Sequence, residues 1–544
     1  MFTAFLTRFA DMADVLSRRR WGSRWSWAGL LGGLAGLLLL GDPTPALGQA
    51  ADPKSPPAGK TAKAKDAPPD DDDKDEPPAA PGTPPADPSQ SRRVAPVEVF
   101  KDPLAEDVLD LKKLSTMAPA PFTDADRLTV YEMAQNPNLP IKRTLIDQVV
   151  RGLTARLTDR KSVESLLEEP EDPPKGDVPK KGAPVKKKDG DGGKGIQMAT
   201  TYLLEPIFIA RGVKNDAFLA AYRRSLLQFL PPLLKNHLVP RVQAMIVLGQ
   251  AADPTPEGVQ LFQKEIANPS QVLWVKLWAL EGVTNIKKEG GRFTVDIESK
   301  VARSIAQFLN DQKDLPWPIQ MRALEAMGWL RQSGLPAEAA KAYMANSAMR
   351  FLADTDAKFE VRAEAARALG LMQVNAVPKY NFRLVAHYAG LLAADLAAEI
   401  NEQFSDTPPR AENPTRARYM TALLVGPVYQ AFDGVQGESN SGILQSGKAD
   451  TESLKQTQKI FAMVRPLAQA SVELLGAPTK EFKGRKEKLA GRIAELRAYL
   501  KQNPPPSRKL TDPGREYGTE GEQARADRPA PAPAPALAGI ARGR

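Results

Sequence analysis

The chain has 544 residues, 26% of them charged and 42% hydrophobic, with no cysteine and only two histidines, His237 and His387. That length allows roughly three or four domains of about 150 residues. The missing thiols exclude disulfide frameworks, thiolate zinc sites, iron–sulfur clusters and cysteine nucleophiles, and two histidines exclude a three-histidine metal site.

Residues 1–50 have the order of an export signal. Arg8, Arg18, Arg19, Arg20 and Arg24 make a basic start, and Trp27 to Leu40 form an apolar middle of fourteen residues. Small residues then flank two cuts, Ala46-Leu47-Gly48 and Gly48-Gln49-Ala50. This is the layout that export machinery and signal peptidase read. The apolar stretch is shorter than the ~20 residues that comfortably span a bilayer, so a cleaved signal is expected; an uncleaved anchor is the second reading. Both place the rest of the chain in the periplasm or cell envelope of a bacterium-like cell.

Proline, alanine and charge then dominate 51–95, including Asp70 to Asp73. Such a segment has too little apolar surface to offset the entropy of ordering and is expected to be a disordered linker. The same composition predicts a Lys/Gly/Pro linker over 169–195 and a Pro/Ala-rich tail over 502–544, with an N-terminal helical segment at 96–168 between the linkers. In that segment Thr123 and Asp126 predict a helix N-cap.

From 196 to 501 the pattern is helical. Four segments align without gaps, beginning at Pro240, Val275, Ile319 and Val361. Their fifth-position alanines, Ala244, Ala279, Ala323 and Ala365, are 35, 44 and 42 residues apart. Gly249, Gly328 and Gly370 close three of the segments; the second carries Gly282 earlier. Each segment follows another helix pattern, at 213–234, 256–267, 297–310 and 337–352. A repeat of this length is the signature of stacked supersecondary units. Val361-Arg362-Ala363-Glu364-Ala365-Ala366-Arg367-Ala368-Leu369-Gly370 resembles the second helix of a HEAT repeat, an armadillo-like family. The resemblance spans about 213–373 and implies an all-α fold, an α-solenoid of helix pairs on long tethers. We place the HEAT-like core at 196–375 and a C-terminal helical extension at 376–501.

Within this frame, Lys287 to Asp296 lengthens one connection and is expected to be a loop that fills space; a small exposed hairpin is the second reading. Downstream, Asn413-Pro414-Thr415 should start a helix that bends at Gly426-Pro427. Leu489, Ile493, Leu496 and Leu500 form one stripe of the last helix. Arg331 and Lys341 are expected to be exposed and dispensable for folding.

Candidate chemistry is sparse. Gly442 to Lys448 has the skeleton of a phosphate-binding loop, but Ala449 replaces the magnesium-ligating hydroxyl and no buried strand precedes it. Asp354, Asp356 and Glu360 are expected to cap and charge the helix that starts near 358. His237 is expected at a helix C-terminus, and His387 as a partly buried polar residue in helix 381–402. No catalytic, cofactor-binding or metal-ligating residue is assigned, and no small-molecule substrate is expected. The segment 479–501 is basic: Lys480, Lys483, Arg485, Lys486, Lys488, Arg492, Arg497 and Lys501 stand against Glu481, Glu487 and Glu495. The first reading is the polar outer face of a capping helix; contact with an anionic surface is the second. The expectation is a non-catalytic protein-interaction scaffold. A solenoid that binds nucleic acid or another anionic polymer is the alternative, and an enzyme on a HEAT-like scaffold ranks third.

Overall fold

The computed structural model describes residues 102–167 and 192–518, apart from 313, 336–340, 375–376, 378, 407–408, 446–448 and 513. The export segment, the 51–95 linker, most of 169–195 and the tail beyond 518 lie outside the described residues. All described residues fall in one contact unit, 100–168 with 174–544; the other unit, 1–99 with 169–173, lies outside them.

The described chain is helical almost throughout. Helices α1 (Pro103–Asp107), α2 (Asp124–Gln135), α3 (Arg143–Arg156), α4 (Arg160–Leu167), α5 (Gly192–Gly212) and α6 (Asp216–Phe229) form its N-terminal part. At α2 the Thr123 hydroxyl accepts from the Asp126 amide at 3.1 Å while the Asp126 carboxylate accepts from the Thr123 amide at 2.8 Å. This reciprocal box satisfies two amides that the first helical turn leaves without partners. Helix α5 begins at Gly192, inside the stretch expected to be linker.

Each aligned segment is the second helix of a pair. They are α7 (Leu238–Ala251), α9 (Leu273–Lys288), α11 (Trp317–Leu330) and α13 (Phe359–Leu371). Between them run α8 (Pro256–Ala267), α10 (Val295–Asp311) and α12 (Tyr343–Ala353). In α10 the buried Val301, Ala302, Ile305, Ala306 and Leu309 recur at helical spacing on one stripe, which obliges the helix to pack along one side. The pairs pack in two layers. One runs α7, α9, α11, α13 in succession and the other α8, α10, α12, while α8 contacts α9, α10 contacts α11 and α12 contacts α13.

The repeat alanines sit at these contacts: Ala244, Ala279, Ala323 and Ala365 are all fully buried. The closing glycines bring the helices closer still. A methyl group on Gly249 would lie 2.6 Å from the Trp278 carbonyl oxygen in α9, and one on Gly328 would lie 2.9 Å from the Ala368 Cα in α13. Both distances are shorter than real side-chain contacts.

The packing continues past the aligned segments. Helix α14 (Phe382–Glu402) lies against α12 and α13 and leads through a short antiparallel hairpin, Phe404–Asp406 with Pro409–Ala411, to α15 (Pro414–Leu423). Asn413 caps α15 through the Arg416 amide at 3.0 Å. The bend expected at Gly426-Pro427 is a single π turn, Leu424–Val428, before α16 (Tyr429–Asp433); Pro427 has no amide to donate, so the regular ladder cannot pass through it. Helices α17 (Thr451–Leu475) and α18 (Phe482–Gln502) pack on α14. The expected stripe on α18 is buried at Leu489, Ile493, Leu496 and Leu500.

The 287–296 connection forms a turn and not the hairpin of the second reading: α9 runs to Lys288, Gly290 turns the chain with φ +81°, and Thr294 caps α10 through the Ile297 amide. One expectation is corrected. The tail does not begin at 502. Leu510, Thr511 and Tyr517 are buried, and the Asn381 side chain donates to the carbonyls of Ser507 and Lys509. The Tyr517 hydroxyl donates to the Asn346 carbonyl at 3.0 Å. A few large side chains tie this proline-containing segment down, which composition averaged over 502–544 hides.

Candidate functional site

Helix α9 packs against α7, α8 and α11, and α11 against α9, α10 and α13. Each also carries a row of side chains that is only half-buried, Trp274 and Trp278 on α9 and Arg322 and Trp329 on α11. The residues on it follow from the repeat register. One position before the repeat alanine stand Trp278, Arg322 and Glu364; two positions after it stand Glu281, Glu325 and Arg367. On a helix these two positions are neighbours on one face, and the three helices set them side by side as a ladder of charge.

Glu325 is the hub. Its carboxylate meets Lys288 at 2.7 Å, Arg322 at 2.5 Å and Arg367 at 3.3 Å. Arg322 also reaches Glu281 at 3.1 Å, and Arg367 reaches Glu364 at 2.5 Å. The Glu325 side chain is only 7% exposed. Burial pushes its carboxyl upward, but Arg322, Lys288 and Arg367 outweigh burial and hold it well below the ordinary carboxylate range. Glu364 goes the other way: burial and the Glu325 charge raise it against the pull of Arg367. Tryptophans frame the ladder. The Lys288 ammonium lies 5.6 Å from the Trp329 ring centroid, and the buried Trp329 indole N–H meets no acceptor among the described residues. Trp274 and Trp278 stand half-buried along the same stripe of α9.

Sequence reasoning passed over this face, although its own alignment contains it: reading columns one before and two after the alanine would have found it. The residues it did single out lie elsewhere. His237 is fully buried and caps the start of α7 rather than lying at a helix C-terminus. Its Nδ1 accepts from the Val239 amide at 3.3 Å and its Nε2 faces the Leu109 carbonyl at 2.9 Å. A carbonyl only accepts, so Nε2 carries the proton and the ring is neutral; burial lowers its pKa. His387 is held low by burial as well, at about 4.

Asp354 accepts from the Asp356 amide in a turn and stands at the C-cap of α12, not at the start of α13; only Glu360 lies in the first turn of α13, whose N-cap is Lys358. Of the Gly442–Lys448 loop, 446–448 lie outside the described residues. The Gly442 amide donates to the Gly370 carbonyl at 2.7 Å and Ile443 is buried, so this stretch is packed against α13.

Arg331 is not spare surface. It adopts φ +58° and its guanidinium reaches the carbonyls of Leu371, Ser439 and Asn440 and the Glu438 carboxylate. The basic helix is also engaged. Arg485 meets Glu481, Lys488 meets Glu473, Arg492 meets Glu495 and Arg497 meets Asp395, while Lys486 donates to the Phe404 carbonyl.

Among the described residues no group of three or more His, Asp or Glu side chains is placed to hold a metal ion, and no helix is long and apolar enough to cross a membrane. Comparison with family models, curated proteins and solved structures returns no match.

Proposed function

We propose that this chain is an exported, HEAT-like α-solenoid that acts as a non-catalytic protein-interaction scaffold in the cell envelope, with the half-buried tryptophan and ion-pair side of α9 and α11 as its binding face. The observation that carries the reading is that side itself. That side carries the half-buried Trp274, Trp278 and Trp329 around the Glu325 ion-pair hub. Large aromatic planes beside arginine are the side chains from which binding hot spots are built. The ladder holds their backbone in register, because each charge is tied to the next helix.

The test is capture from the envelope fraction with the tagged chain, repeated with Trp278→Ala and Trp329→Ala. The parent should retain a partner that both variants lose, with helical content and melting unchanged. Capture that ignores both substitutions would move the binding face elsewhere. Turnover of a substrate, abolished by changing a single acidic residue, would end the scaffold reading.

A further inference from the structure

Pro529 to Pro535 alternates proline with alanine, and no charged residue stands between Pro529 and Ala541. Such a sequence favours the extended polyproline helix, which has no internal hydrogen bonds and leaves its carbonyls open to a donor. Segments of this kind are taken up by grooves lined with aromatic planes, against which the proline rings pack. The half-buried row of α9 and α11 supplies such planes at Trp274, Trp278 and Trp329. It also supplies a donor. The Lys288 ammonium gives one N–H to Glu325 at 2.7 Å, keeps its others, and stands 5.6 Å from the Trp329 ring centroid.

The lengths agree. Trp278 and Arg322 hold the same repeat position, so Trp274 lies four residues before that level on α9 and Trp329 seven residues after it on α11. At about 1.5 Å per residue the axial separation is about 16 Å, and neighbouring helices stand about 8–10 Å apart. The diagonal from Trp274 to Trp329 is therefore about 19 Å. Pro529 to Pro535 in a polyproline helix also spans about 19 Å, at about 3.1 Å per residue. The charges under this diagonal, Glu281, Arg322 and Glu325, are paired with one another. An occupant without charge suits them.

The fold also delivers the tail to this part of the molecule. The Tyr517 amide donates to the Arg508 carbonyl at 2.9 Å, its hydroxyl donates to the Asn346 carbonyl at the start of α12, and Gly518 lies against the Tyr388 hydroxyl. Beside Asn346, the Ala345 amide donates at 3.1 Å to the carbonyl of Ser333, four residues past Trp329. The last described residue thus stands close to the end of α11. Crossing both helix layers takes about two helix diameters, 20–24 Å, and residues 519–528 reach about 33–36 Å when extended. We propose that residues 529–535 dock in cis across Trp274, Trp278 and Trp329 and cover them, an inference that rests on this side being the binding face of the scaffold. A tether this short holds the segment at an effective concentration of about millimolar order, so a weak contact keeps the face occupied.

The test uses the full chain and a fluorescent peptide of residues 527–538. In one variant Pro529, Pro531, Pro533 and Pro535 are all changed to Gly, which alters none of the described residues. The peptide should bind this variant at least about ten-fold more tightly than the parent, whose own tail competes for the face. Trp278→Phe or Trp329→Phe, added to that variant, should weaken the peptide about two- to ten-fold, the loss of one indole contact. Equal affinity for parent and variant, no binding to either, or binding that ignores both tryptophans would overturn the proposal. Tighter binding of a peptide of residues 75–87 would give the face to that proline-rich stretch and overturn the choice of the tail. A dimer of the parent that the Gly variant loses would place the tail on a second copy and overturn docking in cis. The scaffold reading is tested apart from this. Capture of an envelope partner that needs Trp278 and Trp329, without peptide binding, would sink the tail and keep the scaffold, and peptide binding without a captured partner would do the reverse.

Discussion

Glu325 is the residue whose removal should be felt first. Glu325→Gln leaves Arg322, Lys288 and Arg367 facing a neutral group, with Arg367 only 14% exposed. Breaking a buried ion pair strands its partners; here the cost should be about 3 kcal/mol, at the low end for such pairs because Arg322 and Lys288 are about a third exposed. Urea unfolding should read that loss with an unchanged slope. His387 makes an opposite kind of statement. Its folded value of about 4 lies below the ordinary 6.5, so the folded chain takes up its proton later than the unfolded chain does. Stability is therefore complete above pH 6.5 and falls as pH drops toward 4. His387→Phe should flatten the fall in melting temperature between pH 6.5 and 4.5, leaving a residual slope from His237, which is shifted in the same direction.

At the scale of elements, the helix contacts leave no room for added volume. Ala323 is fully buried where α11 meets its neighbours, so Ala323→Leu should cost about 1–3 kcal/mol by overpacking. Thermal melts of parent and variant that coincide would refute the register drawn from the four alanines. Arg331 ties the end of α11 to the loop at 438–440. Arg331→Ala should release that loop at a cost of about 0.5–1.5 kcal/mol, since the exposed Ser439 and Asn440 carbonyls regain water when they lose their donor. Circular dichroism should keep its helical amplitude, and hydrogen exchange should rise at 434–442 alone. The helices themselves were legible from sequence because their spacing and caps are local: Thr123, Thr294 and Asn413 each bond an amide three residues on. Arg331 was misjudged for the converse reason, since the groups it binds lie up to 109 residues away.

For the whole molecule, the address is the property that sequence reading carries alone. The mature N-terminus found by mass spectrometry on the envelope fraction should be Gln49 or Ala51, and intact Met1 in soluble cytosol would refute export. By itself the sequence determined the all-helical class, the pairing period and the small residues at helix contacts, because period, cap and residue size act over a few residues. It also contained the ladder columns, unread until neighbouring helices gave them partners. Only the tertiary structure decided that Glu281, Arg322, Glu325 and Arg367 join in one ion-paired ladder, that Asp102 completes a helix 171 residues away, and that Leu510 and Tyr517 pack back onto the starts of α14 and α12. Those outcomes depend on which amides and charges are left without a local partner and on what the rest of the chain brings to them, a matter of three-dimensional proximity that no local pattern encodes.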